Sequence, residues 1–217
     1  MDYSVDVNNF KIQYSKYGLI EIKNSSLDQS LEIVRRRIDE IGTNDPTIMK
    51  RGSERILIEL PGIDDPNRIK KLLGKTANMT FRLVSESEDN FGSDSLVFEN
   101  SDEKVNVSKR IILSGDNLLN AKTTLDNISN EAVVSFNLDR AGARKFARVT
   151  TDHVGEKLAI VLDNKIISAP VINEAILGGS GVISGNFTFQ SATDLALLLR
   201  SGALPAPLKI IEKRSVG

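Results

Sequence analysis

Apolar positions along this chain keep two different periods, and the switches between them mark its elements. Leu31, Val34, Ile38 and Ile41 follow one another at steps of three, four and three, which places them on one helical face. Ser26, with Gln29 three residues on, forms a capping-box pattern at the start of that helix. Gly42 stands where a left-handed C-terminal cap belongs. Before the helix, residues 19–23 (Leu-Ile-Glu-Ile-Lys) alternate and read as a short strand, preceded by a polar stretch with scattered aromatics. After it, residues 46–50 and 55–60 read as a hairpin joined through Arg51-Gly52-Ser53-Glu54. A second helix follows, with Asp65 as its cap and Pro66 at its first position, where a missing N–H costs nothing. It ends at Gly74, and residues 78–84 predict another strand. Strand, helix, strand, strand, helix, strand is the ferredoxin-like order.

At Ser85 the pattern breaks. Residues 85–106 hold seven acids with Ser and Asn, and they predict a loop. A second unit begins near Ile111, with a strand at 132–138 and a helix capped by Asp139. Residues 158–162 and 165–172 flank Asp163-Asn164, a pair that tolerates positive φ and predicts a tight hairpin turn. Gly178-Gly179-Ser180-Gly181 reads as a flexible turn. A last helix over 192–200, capped by Ser191 with Asp194, stops at Gly202, and residues 208–212 predict a terminal strand. The fold class expected is α+β, in two packed units.

Composition narrows the function classes. Among 217 residues, 28 Lys plus Arg against 29 Asp plus Glu leave a formal net charge of −1, and aromatics are 5%. Neither the basic excess nor the stacking residues of a nucleic-acid binder are present. No cysteine means no disulfide, no thiolate zinc site and no Cys nucleophile. No run approaches the roughly 20 apolar residues of a transmembrane helix, and no export leader opens the chain, so a soluble polypeptide is expected.

Candidate chemistry is sparse. Gly74-Lys75-Thr76 resembles the end of a phosphate-binding loop, but Ile69 stands where its first glycine belongs, and a helix-capping glycine is the better account. The glycines at 178, 179 and 181 lack dinucleotide spacing. His153, the single histidine, reads as a group near a helix C-terminus rather than a ligand or base. Paired acids (Asp39-Glu40, Asp64-Asp65, and Glu86 with Glu88 and Asp89) match no calcium loop and read as surface, cap and solvated loop. Arg35-Arg36-Arg37 read as the solvent face of the first helix, with phosphate head groups as the alternative contact. No cofactor, metal or catalytic constellation is expected, and an α+β binding or interaction module is.

Several strings together resemble one family. They are Gln29-Ser-Leu-Glu-Ile-Val-Arg-Arg-Arg-Ile-Asp-Glu-Ile-Gly42, Arg55-Ile-Leu-Ile-Glu-Leu-Pro-Gly62, and Lys71-Leu-Leu-Gly-Lys-Thr-Ala77. Further on come Ile112-Leu-Ser-Gly115, Ala159-Ile-Val-Leu-Asp163, Ile167-Ser-Ala-Pro-Val171, and Leu197-Leu-Leu-Arg-Ser-Gly-Ala-Leu-Pro-Ala-Pro207. From about Ser26 onward the chain is similar to the first periplasmic domain of the SecD/SecF family, accessory subunits of the bacterial protein-export translocase. The resemblance implies a chain lying between two membrane helices of a bacterial inner-membrane protein. It implies a ferredoxin-like base over 1–86 and 187–217, completed by the final helix and strand, and an inserted head over 87–186.

By the same resemblance the domain works with SecF and the SecYEG channel, using the proton gradient in late translocation while the head grips emerging unfolded preprotein. The proton-relay residues of such proteins belong to membrane helices outside this chain. A promiscuous grip needs adaptable apolar surface, and the candidates are Leu118, Leu119, Leu125, Ile172, Ile176, Leu177, Val182 and Ile183. Swinging of head on base implies hinges at Val84-Ser85 and Gly185-Asn186. Two other readings stand beside this one: a docking domain that binds no client, and a ligand-binding regulatory domain.

Overall fold

The structure, a computed structural model, describes residues 2–6, 9–85 and 92–211. Contacts divide the chain into two units, Met1–Leu73 with Leu204–Gly217, and Gly74–Ala203. By contacts, the division between them falls at 73/74 and 203/204.

The first unit opens with a hairpin of β1 (Asp2–Asp6) and β2 (Asn9–Gln13), in a stretch with no strand pattern of its own. Helix α1 (Lys16–Ile41) follows, then β3 (Thr47–Arg51) paired antiparallel with β4 (Arg55–Glu59), and α2 (Pro66–Gly74). Residues 19–23 are helical, which corrects the strand expected there. Ser15, not Ser26, is the N-cap, its hydroxyl accepting from Gly18 N–H. Ser26 lies inside the helix, its carbonyl accepting from the Ser30 hydroxyl. The packed turns around Val34 supply a nucleus, and adding turns to a formed helix is cheap, so local alternation at 19–23 loses. Gly42 closes α1 at φ +79, as its position predicts.

Val34 and Ile38 of α1 meet Ile69 and Leu73 of α2, with Ile48, Ile58 and Leu208 against them. Arg37 shares this interior, fully buried, and its Nη1 donates to the carbonyls of Leu72 (2.7 Å) and Leu73 (3.4 Å). That corrects its reading as solvent face, which holds for Arg35 and Arg36. The carbonyls at a helix C-terminus lack intrahelical donors, and a guanidinium beside them supplies donors and charge together. Residues 208–211 form no strand, and Glu212 lies outside the described residues.

The second unit holds β5 (Met79–Leu83), β6 (Ser93–Phe98), β7 (Lys104–Ser108), β8 (Leu113–Ser114), β9 (Leu118–Leu125) and β10 (Ala132–Leu138). Helix α3 (Arg140–Asp152), β11 (Leu158–Leu162), β12 (Lys165–Ser168), β13 (Ser180–Phe187) and α4 (Phe189–Ser201) complete it. One mixed sheet runs β7-β6-β12-β11-β5-β8, with β12 parallel to β6 and the remaining pairs antiparallel. A three-stranded sheet runs β13-β10-β9, and α4 packs on it. The residues expected as an acidic loop therefore contain the β6–β7 hairpin. Ser93, Leu96 and Val107 turn inward while Asp102 and Glu103 mark the exposed turn, so the acids hid a strand pattern. The cap of α4 is Thr188, whose hydroxyl accepts from Ser191 N–H, in place of Ser191 itself.

β11 (Leu-Ala-Ile-Val-Leu) is buried along its whole length because both faces of the sheet are covered. Ala159 and Val161 join Val107 and Ile166 on one face, while Leu158 and Ile160 belong to the other. Its hairpin turn has Asp163 at φ +48 and Asn164 at φ +64, the conformation their identities predict. The Asp163 carboxylate accepts from Thr76 Oγ (2.5 Å) and from the N–H groups of Ala77 (3.0 Å) and Asn78 (2.8 Å), pinning the lead-in to β5.

Candidate functional site

A cavity of about 270 Å³ opens in the second unit. Its floor is aromatic. Phe81 comes from β5, Phe136 from β10 and Phe146 from α3, with ring centroids 5.5, 5.8 and 6.3 Å apart at tilted to edge-on angles. Tilted contacts at these separations are the favoured geometry for aromatic rings, so the trio is a rigid surface. Register explains the convergence: Phe81 stands opposite Ile160 across the β5–β11 pair, and both line the hollow. On α3, Gly142, Phe146 and Thr150 recur every four residues and form the buried face.

Gly181 stands opposite Phe136 across the β10–β13 pair and leaves room for its ring. A Cβ there would lie 2.6 Å from Phe136 Cζ, so the ring packs on bare backbone. The facing wall is residues 170–176. Thr150 fixes it, donating to the Phe146 carbonyl (2.8 Å) while accepting from Ile176 N–H (2.9 Å). Leu158 N–H donates to Pro170 O, and Ile172 N–H donates to Glu156 O, each at 2.9 Å. Val171 and Val182 stand half exposed at the mouth, and Glu174 is the charged group among the lining residues. Such a hollow holds an apolar group by exclusion of water; a single carboxylate at its edge offers no paired acid and base.

Of the residues expected to meet client, Ile172, Ile176 and Val182 line the cavity. Ile183 is fully buried and is not among the residues that line the cavity. Leu118 is half-buried, and Leu119, Leu125 and Leu177 are exposed, all four away from the cavity lining. Phe81, Phe136, Phe146, Leu158 and Ile160 also line the cavity and were not among the candidates; each sits in a regular element and reads as ordinary core. Val84 N–H donates to Lys157 O and Ser85 N–H to Asn106 O. Gly185 and Asn186 belong to β13, so all four expected hinge residues lie within the second unit.

The remaining motifs resolve locally. Gly74 ends α2, Lys75 Nζ lies 3.3 Å from Glu99, and Thr76 is held by Asp163. Gly179 adopts φ +63, and a Cβ on it would come within 2.4 Å of Ala143 Cβ, so packing against α3 accounts for that glycine. His153 is the C-cap of α3, its Nδ1 2.9 Å from Glu156. Asp65 Oδ1 accepts from the N–H groups of Asn67 and Arg68. Glu86, Glu88 and Asp89 lie outside the described residues. Among the described residues no group of three or more His, Cys, Asp or Glu is placed to hold a metal, and no helix is long and apolar enough to cross a membrane.

In class, this is an α+β module built around an apolar, aromatic-floored cavity. Two family models match it. The one described as "SecDF, P1 head subdomain" matches residues 93–206, and "Protein translocase subunit SecDF, P1 domain, N-terminal" matches residues 27–86. The chain belongs to the SecD/SecDF P1 family. It is 45% identical to protein translocase subunit SecD of Rickettsia conorii, over 98% of this chain and 43% of that protein. With SecD of Acetobacter pasteurianus it shares 49% identity, over 88% of this chain and 38% of the other. The chain thus spans less than half the length of these relatives.

Two solved structures are similar. One, described as SecDF in a super-membrane-facing form, has a TM-score of 0.75 at 32% identity and covers 87% of this chain and 28% of that one. The other, described as a membrane component SecDF that enhances protein export, has a TM-score of 0.74 at 30% identity, covering 94% of this chain and 96% of that one.

Proposed function

We propose that the chain is a periplasmic substrate-handling domain of a SecD-type subunit, part of an inner-membrane protein that promotes late, proton-motive-force-dependent translocation. In this reading the second unit is the head that grips emerging unfolded preprotein, and the first unit carries the ferredoxin-like base. SecF and the SecYEG channel are the partners. The observation that supports the grip is the cavity between Phe81, Phe136, Phe146 and the 170–176 wall. At about 270 Å³ it falls just below the range of ligand-sized pockets, roughly 300–1,000 Å³, and suits a bulky apolar side chain better than a cofactor.

An unfolded chain presents such side chains, and a folded protein hides them. Selectivity for unfolded polypeptide therefore needs no recognised sequence, only a dry apolar hollow that an extended segment can reach. Val171 and Val182, half exposed at the mouth, add apolar contact to the flanking residues of the bound segment.

The test is an NMR titration of the labelled chain with an unfolded secretory polypeptide, its folded form serving as control. Expected are shifts at Phe146, Ile172, Ile176 and Val182 with the unfolded form alone, weakened at least ten-fold by Val182→Asp, which places a carboxylate at the apolar mouth. Saturating client without shifts at these residues overturns the grip and favours a docking domain that holds translocase subunits together.

A further inference from the structure

Helix α3 turns one face to the cavity and a very different face outward. Arg140, Arg144 and Arg148 recur every fourth residue, about 6 Å apart along the axis and drifting by only about 40° per step. Lys145 stands beside them. All four are exposed, and none makes an ion pair among the described residues. The buried face of Gly142, Phe146 and Thr150 lies on the far side of the helix.

The acids nearby leave this charge uncompensated. Asp139 is occupied as the N-cap, accepting from Gly142 N–H and from the Asn117 amide. Glu156 is engaged by His153. Asp152, one turn past Arg148, is the one acid on α3 itself, so four cations less one acid leave +3 on a helix of 13 residues. The whole chain carries −1.

Apolar side chains flank the stripe. Residues 176–179 run along α3, held by Ile176 N–H to Thr150 and by Gly179 packed on Ala143. They carry Leu177, 74% exposed, and Val154 stands 52% exposed just past the end of the helix. Evenly spaced guanidinium groups on a convex surface, bordered by exposed apolar groups, match a membrane–water interface. There, phosphates meet the cations, and the aliphatic groups enter the headgroup layer.

We infer that the outward face of α3 docks on an anionic phospholipid surface. The inference rests on the proposed reading of the chain as part of a membrane subunit, and it concerns a surface separate from the client cavity. A convex stripe offers no pocket for the register of an acidic peptide, and guanidinium binds phosphate bidentately whatever the lipid's lateral position.

The experiment is vesicle co-sedimentation of the 217-residue chain, comparing phosphatidylcholine alone with phosphatidylcholine containing one third phosphatidylglycerol. Each cation held at an anionic surface is worth roughly five-fold in partitioning, so a net three predicts about a hundred-fold preference for the anionic vesicles at low salt. That preference collapses by 0.5 M salt. Arg140→Gln, Arg144→Gln and Arg148→Gln together abolish it with an unchanged circular dichroism spectrum. Arg35→Gln, Arg36→Gln and Arg55→Gln, which remove as many cations elsewhere, leave it within two-fold.

Equal binding by both triple variants overturns the inference, as does the absence of any preference for anionic vesicles. Binding of the α3 stripe to soluble polyglutamate but not to vesicles replaces the lipid by an acidic protein. Client shifts at the cavity without vesicle binding leave the proposed function standing and this inference refuted.

Discussion

Arg37 is the charge on which the interior of the first unit depends, and removing it has a consequence that can be worked from the geometry. Its side chain is fully buried, with Nη1 2.7 Å from the Leu72 carbonyl, the short distance of a charge-assisted hydrogen bond. Arg37→Met keeps much of the volume and removes the donors. Two effects then oppose each other. Burying a methionine in place of a guanidinium relieves desolvation, which is favourable. The carbonyls of Leu72 and Leu73, at the end of α2, lose a donor that no water replaces in this dry environment, and each buried unsatisfied acceptor costs about 1–3 kcal/mol. Loss of the cation at a helix C-terminus adds up to ~1 kcal/mol.

Because the acceptors remain after substitution, the cost dominates, and about 2 kcal/mol of destabilisation is expected for the α1–α2 core. The α1–α2 core is one part of a two-unit chain, so a readout local to it is the sharper one. Amide hydrogen exchange across residues 30–38 and 66–74 reads the local opening directly. A loss of 2 kcal/mol corresponds to about 30-fold faster exchange there, since 1.4 kcal/mol is ten-fold. Arg37→Lys, which keeps a cation but not the planar fork, is expected to fall between wild type and Arg37→Met. Exchange unchanged in Arg37→Met would refute the reasoning, because it would mean that the Leu72 and Leu73 carbonyls need no donor from α1.

Two further predictions follow from local geometry. Gly179→Ala places a Cβ at φ +63 and 2.4 Å from Ala143 Cβ, whereas Gly155→Ala meets only the left-handed conformation at φ +91 with open space around it. Urea denaturation should show a loss of about 1–2 kcal/mol for Gly155→Ala and a further ~1–3 kcal/mol for Gly179→Ala; equal losses would remove the clash from the account. Asp126 accepts from the N–H groups of Ser129 and Ile128, which holds its carboxyl below the ordinary carboxylate range. A lowered folded-state pKa contributes stability present above the unfolded value and lost as pH falls through the folded one. Asp126→Asn should therefore destabilise the β9–β10 turn at pH 7, with the gap to wild type closing below pH 4 in thermal melts; a gap independent of pH would contradict it.

Sequence and structure agree where the determining chemistry is short-range. Gly42, Asp65, Asp139 and the Asp163-Asn164 pair act within a few residues of themselves, through a positive φ or a cap, and each does what its identity predicts. In the second unit β5, β10, β11 and β12 followed from alternation or from continuous apolar runs, whereas β6 to β9 and β13 did not. The errors share one cause. Residues 19–23 alternate like a strand but extend a helix anchored ten residues away, and the β6–β7 hairpin lies within an acidic stretch because only its inward positions need to be apolar. Arg37 is indistinguishable from Arg35 and Arg36 by composition; its burial depends on where α2 ends.

The cavity was only partly legible. Ile172, Ile176 and Val182 were recognisable as apolar residues among small and polar ones, whereas the three phenylalanines looked like core, which they also are. By itself the sequence determined the α+β class, the caps at Gly42, Asp65 and Asp139, the Asp163-Asn164 turn, the family, and the want of thiolates and of an overall basic excess, because these depend on residue identity and near neighbours. Tertiary structure alone decided the sheet order β7-β6-β12-β11-β5-β8, the gathering of Phe81, Phe136 and Phe146, and the separation of α3 into an apolar face and a cationic one turned outward. Those outcomes join residues as far apart as Met79 and Leu162, and the free energy that selects them is released only when distant apolar surfaces leave water together.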